Sequence, residues 1–335
     1  MALLLPPMNG AYINHLDSDA GMKTVLDNIP GSVTTDYLLL SLNVAGVDAN
    51  NNPSADINYG WNLPCILARD GKITDWTRTH LCKVVSAGVT QGNCKRVWLV
   101  IGGASDGPTT DAFTNIQTII NTGGTLEATL AANFKAIYLA INNITGVESV
   151  GFDMDYEEDL DSLTTAVTSV SIFVYNHTGC SITFCPFQGG EYPRGSGKFP
   201  GEQKWLDALK KVNSFTNGKV VGYNLQTYSG GGSNNPKQWA DYIKNNAAGT
   251  GVRPADAAGF VWPIVSNGTD AATPKYDPSE VVKQLTDWGS AAGPGRGNGF
   301  HSSGASLWAT SGLSDPPLPP NTLTAYSKAI AQGIA

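Results

Sequence analysis

The sequence predicts an α/β fold, a single closed (β/α)8 barrel formed by residues 1–335. Two observations carry this prediction. Short apolar runs alternate with helix-like segments along the whole chain, and eight such runs can be counted. The sequence also contains no internal repeat and no linker, and barrels of this length are routinely one domain. In such barrels the chemistry lies at the carboxyl ends of the strands.

The first three predicted strands cover residues 10–15, 37–44 and 96–103. The second is a nearly continuous apolar run, which is typical of a parallel strand covered on both faces. Residues 48–75 are polar and rich in Asn and Gly, and we interpret them as a loop over one end of the barrel rather than as core. A helix near residues 77–87 then leads to the third strand.

The other five strands are predicted over residues 148–157, 181–186, 219–228, 258–264 and 304–309. Apolar residues at helical spacing place one or two helices within residues 110–142. Further helices are predicted over residues 163–175, 204–212, 236–245, 280–288 and 322–334. Strands and helices therefore alternate to the end of the chain, as a (β/α)8 barrel requires.

The fourth predicted strand carries an acidic pattern around which the rest of the chain is organised. Residues 152–157 read Phe-Asp-Met-Asp-Tyr-Glu. Because strand side chains alternate between two faces, Asp153, Asp155 and Glu157 share one face. Like charges at this spacing resist ionising together, so the arrangement does not serve stability. A solvated acidic edge would not have apolar residues between the acids, and we interpret the triplet as a functional site.

The composition excludes some classes of function. The net charge is −7, and a negative surface repels phosphate backbones, so no nucleic-acid partner is expected. Only 15% of the residues are charged, and the chain has 38 Gly and 8 Trp, as in secreted enzymes that act on polysaccharides. A neutral polymer or a small molecule is the expected ligand.

Neither cysteines nor histidines indicate a metal site. The cysteines permit at most two disulfides, and no spacing identifies a pairing; they are Cys65, Cys82, Cys94, Cys180 and Cys185. The four histidines are scattered along the chain. We expect no metal ion and no cofactor.

The start of the chain bears on localisation. The first seven residues have too short an apolar run, and no basic residue, for a secretory signal, so either the signal has been removed or the protein is not exported by that route. No stretch approaches the length of a membrane span, and no membrane partner is expected. The expected state is a secreted, extracellular monomer whose signal peptide is absent from this sequence.

With these residues in place, the chain resembles glycoside hydrolase family 18, the chitinases and endo-β-N-acetylglucosaminidases. The family signature on strand four is Asp-x-Asp-x-Glu, which Asp153, Asp155 and Glu157 match. Strand six of the family usually carries a tyrosine that touches the substrate, and Tyr228 matches it. Strand eight usually ends with a tryptophan under the sugar, and Trp308 matches it. The resemblance spans the whole chain through strand order, and the triplet is its most specific part.

Two positions depart from the family pattern. Strand three of the family ends in Ser-x-Gly-Gly, and here Val100 stands in place of the serine before Gly102 and Gly103. The acidic signature is commonly preceded by Asp-Gly-x, and here Val150 stands in place of that aspartate before Gly151. Both departures are expected to alter how firmly the acidic strand is held, without removing a group that the mechanism needs.

The resemblance implies a role for each residue. Glu157 would protonate the glycosidic oxygen, which requires a neutral carboxyl near the working pH, and neighbouring acids should raise its pKa. The acetamido oxygen of the substrate would attack, because family 18 is an exception to the usual carboxylate pair. Asp155 would orient the acetamide and share a proton with Asp153. Tyr228 would bind the acetamido carbonyl, and Trp308 would form the floor of the sugar site.

The leading interpretation is a chitinase that cuts β-1,4-linked N-acetylglucosamine polymers by a retaining, substrate-assisted route. Its partners would be chitin or N-acetylglucosamine oligosaccharides, with further contacts from Gln226, Tyr223 and Trp262. Residues 265–276 are too few for the insertion domain of many bacterial chitinases, so the barrel is expected to have an open groove suited to endo cleavage. Two alternatives are an endo-β-N-acetylglucosaminidase acting on N-glycans and a non-catalytic barrel that binds chitin or another sugar.

Overall fold

The computed structural model describes residues 7–13, 16–48, 50–60, 65–103, 111–187, 196, 198–227, 234–266, 277–289, 302–308 and 322–334. The strands are β1 Met8–Ile13, β2 Asp36–Asn43, β3 Ile57–Tyr59, β4 Ile66–Arg69, β5 Lys72–Ile73, β6 Arg96–Gly103, β7 Ser149–Tyr156, β8 Ser181–Phe184, β9 Val220–Gln226, β10 Val261–Ser266 and β11 Gly304–Trp308. The helices are α1 Asp19–Asn28, α2 Asp75–Thr79, α3 Leu81–Gln91, α4 Ala112–Thr122, α5 Gly124–Asn142, α6 Leu163–Thr178, α7 Pro200–Thr216, α8 Pro236–Asn245, α9 Pro278–Gly289 and α10 Thr322–Gly333.

Eight parallel strands close into a barrel. Neighbouring strands follow the order β1, β2, β6, β7, β8, β9, β10, β11, and β11 pairs with β1 to complete the ring. These are the eight strands predicted from the apolar runs, and the predicted (β/α)8 barrel is confirmed. Because all eight strands run in the same direction, their carboxyl ends meet at one end of the barrel.

Alternation along the strands separates two packed layers. Outward side chains pack against the helices, as Phe152 of β7 does against Phe134 of α5, with ring centroids 5.8 Å apart. Inward side chains form a smaller cluster inside the barrel, composed of Met8, Tyr12, Leu38, Trp98, Val100, Cys185, Val221, Trp262 and Ile264. Phe152 and Met154 belong to the outer layer, so Asp153 and Asp155 face the barrel interior, as the alternation predicts.

The prediction that residues 48–75 form only a loop is wrong. Strands β3, β4 and β5 extend the sheet as an antiparallel ribbon from the carboxyl end of β2, where Leu42 lies opposite Tyr59. Ile57, Tyr59 and Leu67 are buried in the outer apolar layer. The Asn and Gly residues of the segment dominate its composition and conceal its apolar residues.

Two glycines let neighbouring strands approach the acidic strand. Gly151 lies on the inner face of β7, where a Cβ atom would come within 2.3 Å of the Trp98 ring. Gly102, near the end of β6, has a φ of +92°, and a Cβ atom there would come within 2.3 Å of the Asp155 carbonyl oxygen. Residues other than glycine rarely adopt this φ. The glycine motif of β6 therefore has a steric reason, which is close packing against the acidic end of β7.

A buried ion pair closes the opposite, amino-terminal end of the barrel. Asp36 begins β2 and Arg96 begins β6, and the guanidinium donates from Nε to Oδ1 and from Nη2 to Oδ2, both at 2.6 Å. Trp98 Nε1 also donates to Asp36 Oδ1 at 3.0 Å, and Arg96 Nη2 donates to the Pro7 carbonyl at 3.0 Å. Both charged side chains are almost completely buried. The charge of each is therefore compensated by the other and by neutral partners.

Other expectations concern the chain as a whole. All five cysteines are free thiols. Among the residues whose structure is described, no cluster of His, Cys, Asp and Glu side chains could hold a metal ion. The same residues include no helix of the length and apolarity needed to cross a membrane. Most of residues 265–276, on which the expected lack of an insertion domain rests, lies outside the described part of the chain.

Candidate functional site

Asp153 is the centre of a polar network inside the barrel. Its side chain is completely buried, and three other strands donate hydrogen bonds to it. Tyr12 Oη of β1 donates to Oδ2 at 3.0 Å, while Thr183 Oγ1 of β8 and Asn224 Nδ2 of β9 donate to Oδ1 at 2.6 and 3.0 Å. Burial raises the pKa of Asp153 to about 6, and the three donors oppose that rise because they stabilise the carboxylate. Asp153 is thus a carboxylate held in one orientation.

Asp155 and Glu157 form a pair at the carboxyl end of β7. The Gln226 amide joins them, because Nε2 lies 3.1 Å from Asp155 Oδ1 and 2.7 Å from Glu157 Oε1. Burial, followed by the charges of Glu157 and Asp153, raises the pKa of Asp155 well above its usual value. Burial also raises the pKa of Glu157, whereas its hydrogen bonds with Gln226 and Asp155 lower it. Both carboxyl groups therefore favour the protonated form more than a free carboxyl does, and the two titrate as one pair.

Two details of the sequence prediction concern the titration of these acids. The proton that Asp155 would share with Asp153 stays a prediction. Asp155 Oδ2 is buried and has no hydrogen-bond partner among the described residues. Neighbouring acids were expected to raise the pKa of Glu157, but burial raises it and the hydrogen bond with Asp155 lowers it.

Trp308 ends β11 and is half-buried at the mouth of the barrel. Its ring meets the edge of Tyr12, with centroids 5.2 Å apart and planes at 60°. Tyr12 in turn donates to Asp153. Trp308 also packs against the apolar cluster inside the barrel. This predicted residue therefore lies one aromatic contact away from the acidic network.

Tyr223 does not belong to the site. It lies on the outer face of β9, where it is fully buried in the layer between strands and helices. Its hydroxyl donates to the Trp205 carbonyl of α7 at 3.1 Å, and its ring stacks near Phe184 at 5.8 Å. The predicted sugar contact is corrected to a packing role, because the side chain points away from the barrel interior.

Trp262 is also corrected to a packing role. The ring is buried inside the barrel, over Gly222, where a Cβ atom would lie 2.4 Å from it. The indole nitrogen donates to the Gly259 carbonyl at 3.0 Å and to Ser303 Oγ at 3.1 Å, both just before strands begin. Trp262 therefore fills the amino-terminal half of the barrel, away from Glu157. Tyr228 lies outside the described residues.

Sequence reasoning missed four residues of the network: Tyr12, Thr183, Cys185 and Asn224. The Cys185 thiol lies against Asp155 and receives the Tyr12 hydroxyl at 3.5 Å. A signal for one of them, Asn224, was present in the sequence. Asn224 precedes Gln226 by two residues on an otherwise apolar strand, as Asp153 precedes Asp155 on its own strand. Polar residues spaced by two on neighbouring strands indicate one polar patch inside a barrel.

Glu158 fixes the backbone that follows Glu157. Its Oε1 accepts from the Phe113 amide at 2.7 Å, and its Oε2 accepts from the Thr114 amide at 3.1 Å and the Thr114 hydroxyl at 2.6 Å. These amides belong to the first turn of α4, whose N-cap residue Asp111 makes no side-chain cap. A carboxylate at a helix amino terminus satisfies free amides and complements the helix dipole.

We expect Glu158→Ala to lower the free energy of unfolding by about 1–2 kcal/mol, because the first turn of α4 loses its cap. Urea denaturation measures this change. Glu158→Gln should recover part of the loss, since one amide oxygen can still accept. Glu127→Ala, in the partly exposed first turn of α5, is the comparison, and an equal loss in both variants would contradict the capping role.

The raised pKa of Asp153 predicts a specific dependence of stability on pH. An unfolded aspartate titrates near pH ~3.9, whereas Asp153 titrates near 6 when folded, so the folded state binds more protons between these values. The free energy of unfolding therefore decreases as pH rises through this window, by about 3 kcal/mol from Asp153. Urea denaturation of wild type and Asp153→Asn from pH 4 to 7 measures it. The free energy of unfolding of Asp153→Asn should increase relative to that of wild type as pH rises. A difference between the two that is constant with pH would contradict the raised pKa of Asp153.

Comparisons with known proteins establish the fold. No protein-family model matches the chain, and no curated protein matches its sequence. Solved structures do match. A GH18 chitinase from Pseudoalteromonas aurantia superposes with a TM-score of 0.54 and 15% identity, over 97% of this chain and 99% of that one. Catalytic-site mutants of active domain 2 of a Pyrococcus furiosus chitinase, complexed with chito-oligosaccharides, give a TM-score of 0.56 at 12% identity, over 99% and 96%.

The same fold also occurs outside the chitinases. A chitinase-like agglutinin from Robinia pseudoacacia superposes with a TM-score of 0.54 at 10% identity, over 98% of this chain and 100% of that one. Identities this low establish the fold alone. The chain therefore has the (β/α)8 fold of GH18 catalytic domains, and the resemblance predicted from its acidic strand is confirmed at the level of the fold.

Proposed function

We propose that this protein is a glycoside hydrolase of the family 18 type, a chitinase that cleaves β-1,4 linkages between N-acetylglucosamine units within the chain. The observation that carries the proposal is the inward-facing acidic triplet at the carboxyl end of β7, in which the Gln226 amide bridges Asp155 and Glu157 and burial raises the pKa of both. The solved barrels of the same fold are chitinases in several cases, one of them bound to chito-oligosaccharides, and this supports the substrate class.

Glu157 is the proposed general acid. Asp153 and Asp155 are completely buried, whereas Glu157 is half-buried and sits beyond them, one residue after β7 ends. A glycosidic oxygen that enters the barrel mouth would meet Glu157 first. Its raised pKa favours the protonated form that an acid needs, and burial is the cause.

The role proposed for Asp155 is substrate assistance rather than direct attack. A carboxylate nucleophile must face the anomeric carbon from the side opposite the acid. The two carboxyl groups are then about 5–5.5 Å apart, with the sugar between them. Asp155 instead is buried deeper in the barrel than Glu157 and is joined to it through the Gln226 amide. The nucleophile would then be the acetamido oxygen of the substrate. Asp155 would hold the acetamide nitrogen and stabilise the positive charge of the oxazolinium ion, with retention of configuration.

The remaining roles follow the resemblance. Trp308 would stack on the apolar face of the sugar at the barrel mouth, and Tyr228 would bind the acetamido carbonyl. Gln226 would keep the two acids aligned while its own contacts adjust to the substrate. The proposal also includes action as a secreted, single-domain monomer on chitin or its oligosaccharides.

Release of a fluorophore from chitobiose and chitotriose glycosides tests this function. The matched control is the same glycoside with a free amine in place of the acetamide on the sugar that is cleaved, because that substrate has no oxygen with which to cyclise. Hydrolysis of the acetylated substrate alone supports the proposal. Release of N-glycans from a glycoprotein without cleavage of chitin fragments would support the endo-β-N-acetylglucosaminidase. Binding of chito-oligosaccharides without any hydrolysis would support the non-catalytic barrel.

A further inference from the structure

We propose that Thr183 and Asn224 are positioning residues that hold Asp153 in place, in a barrel where valine stands at the strand-three position that is usually serine in family 18. The inference deepens the proposed function and rests on it. It concerns a departure already visible in the sequence, since Val100 occupies the position of that serine.

The strand register shows from which side a donor reaches Asp153. Strand β7 lies between β6 and β8, and Asp153 is opposite Val100 on one side and Thr183 on the other. Val100 is completely buried in the inner apolar cluster and offers no side-chain hydrogen bond. The Thr183 hydroxyl donates to Asp153 Oδ1 at 2.6 Å from the opposite neighbour.

Asn224 adds a second donor from one strand further round the barrel. Its Nδ2 lies 3.0 Å from Asp153 Oδ1 and 3.3 Å from Thr183 Oγ1, so the three side chains form one cluster. All three are completely buried. A buried carboxylate needs such partners, because a buried charge without hydrogen bonds is strongly unfavourable.

The titratable groups that face Asp153 show how the cluster of Asp153, Thr183 and Asn224 affects the protons of the site. They are Tyr12, Asp155 and Cys185, and in the described part of the chain no Lys, Arg or His forms an ion pair with Asp153. Neutral donors therefore provide the stabilisation of its negative charge. Burial and the charge of Glu157 raise the pKa of Asp155, and the charge of Asp153 raises it further, which favours a proton on the Asp155 and Glu157 pair. If donors are lost, Asp153 competes for this proton.

Thr183→Val tests this role, because valine keeps the shape of threonine and removes the hydroxyl. We expect kcat to fall about 10- to 100-fold, the range for a hydrogen bond to a charged group, with little change in KM. The acidic limb of the kcat/KM profile should move to higher pH, since Asp153 must be ionised and its pKa rises. Thr183→Ser should retain activity. Thr216→Val, which removes a buried hydroxyl at the end of α7, is the matched control and should leave the pH profile unchanged.

An exchange of side chains tests the link with strand three. The double variant Val100→Thr with Thr183→Val moves the hydroxyl from β8 to β6 without a change in volume. It should recover most of the lost kcat and return the acidic limb toward that of wild type. No recovery, with a folded double variant, would overturn the inference that the two positions are interchangeable donors.

A readout independent of catalysis separates this inference from the proposed function. The melting temperature of Thr183→Val, relative to wild type, should be lower at pH 8 than at pH 5, because the hydroxyl stabilises the ionised form of Asp153. The difference in melting temperature between Thr216→Val and wild type should be the same at both pH values. A wild type without hydrolytic activity would refute the proposed function alone, and a Thr183→Val deficit independent of pH would overturn the positioning role whether or not the wild type is active.

Discussion

Replacement of Glu157 by Gln is expected to lower kcat on a chitobiose glycoside by about 10²–10⁴-fold, the usual contribution of a general acid. The fold should be unchanged, because a glutamine oxygen can still accept the hydrogen bond that Gln226 Nε2 makes with Glu157 Oε1 at 2.7 Å. Binding of chito-oligosaccharides should also persist. The loss would then arise from the missing proton and not from a collapsed site.

The matched control for this variant is Glu148→Gln. Glu148 lies just before the same strand, but its side chain is 64% exposed and only 3.7 Å from a partly exposed lysine. Its replacement should leave kcat and KM unchanged. Equal activity in wild type and Glu157→Gln would contradict the assignment of the acid.

The leaving group provides a second check. A nitrophenol leaving group needs less protonation than a sugar hydroxyl. The loss of kcat in Glu157→Gln, relative to wild type, should therefore decrease as the leaving group becomes more acidic. If the deficit is independent of the leaving group, Glu157 acts in another step, such as orientation of Gln226 and Asp155.

The barrel could be predicted from the sequence because its signals are local. Strand β6 is a continuous apolar run ending in glycines, and its observed bounds, Arg96–Gly103, match the prediction. Helix α8 has Pro after the Asn235 cap and likewise matches at Pro236–Asn245. The ribbon of β3, β4 and β5 was missed, because strands of two to four residues carry too little periodicity to stand out from polar turns.

The acidic strand was predictable for the same reason, but its surroundings were not. Alternation within residues 152–157 placed three acids on one face. Which neighbours meet them depends on register between strands far apart in sequence, such as Asp153 beside Thr183. Tyr223 and Trp262 show the opposite error, since an aromatic residue on a barrel strand has the same sequence signal whether it faces outward, lies deep inside or reaches the mouth.

A second large effect, on stability, is expected at the buried ion pair of Asp36 and Arg96 at the amino-terminal end of the barrel. Arg96→Met should lower the free energy of unfolding by about 3–5 kcal/mol, because it leaves the buried Asp36 carboxylate without its cationic partner. Urea denaturation at pH 7 measures the loss. Arg78→Met is the comparison, since Arg78 and its partner Asp75 are largely exposed and such a pair contributes about 0–1 kcal/mol.

The double variant Asp36→Asn with Arg96→Met shows whether the loss of stability comes from the unpaired Asp36 carboxylate or from the missing contacts of the Arg96 guanidinium. If the cost of Arg96→Met arises from a stranded charge, removal of that charge should return most of the lost stability, because Asn Oδ1 can still accept from Trp98 Nε1. If the double variant is as unstable as Arg96→Met, the guanidinium stabilises the barrel mainly through its packing and its bond to Pro7.

The kcat of folded Arg96→Met shows whether the unpaired Asp36 carboxylate also disturbs the acidic site. Trp98 joins the two ends of the barrel, because its indole nitrogen binds Asp36 while its ring lies against Gly151, two residues before Asp153. If Trp98 keeps its place, kcat should change by less than about tenfold, a value equivalent to 1.4 kcal/mol in the barrier. A larger fall, reversed by Asp36→Asn, would mean that the unpaired carboxylate shifts Trp98 and with it the acidic strand.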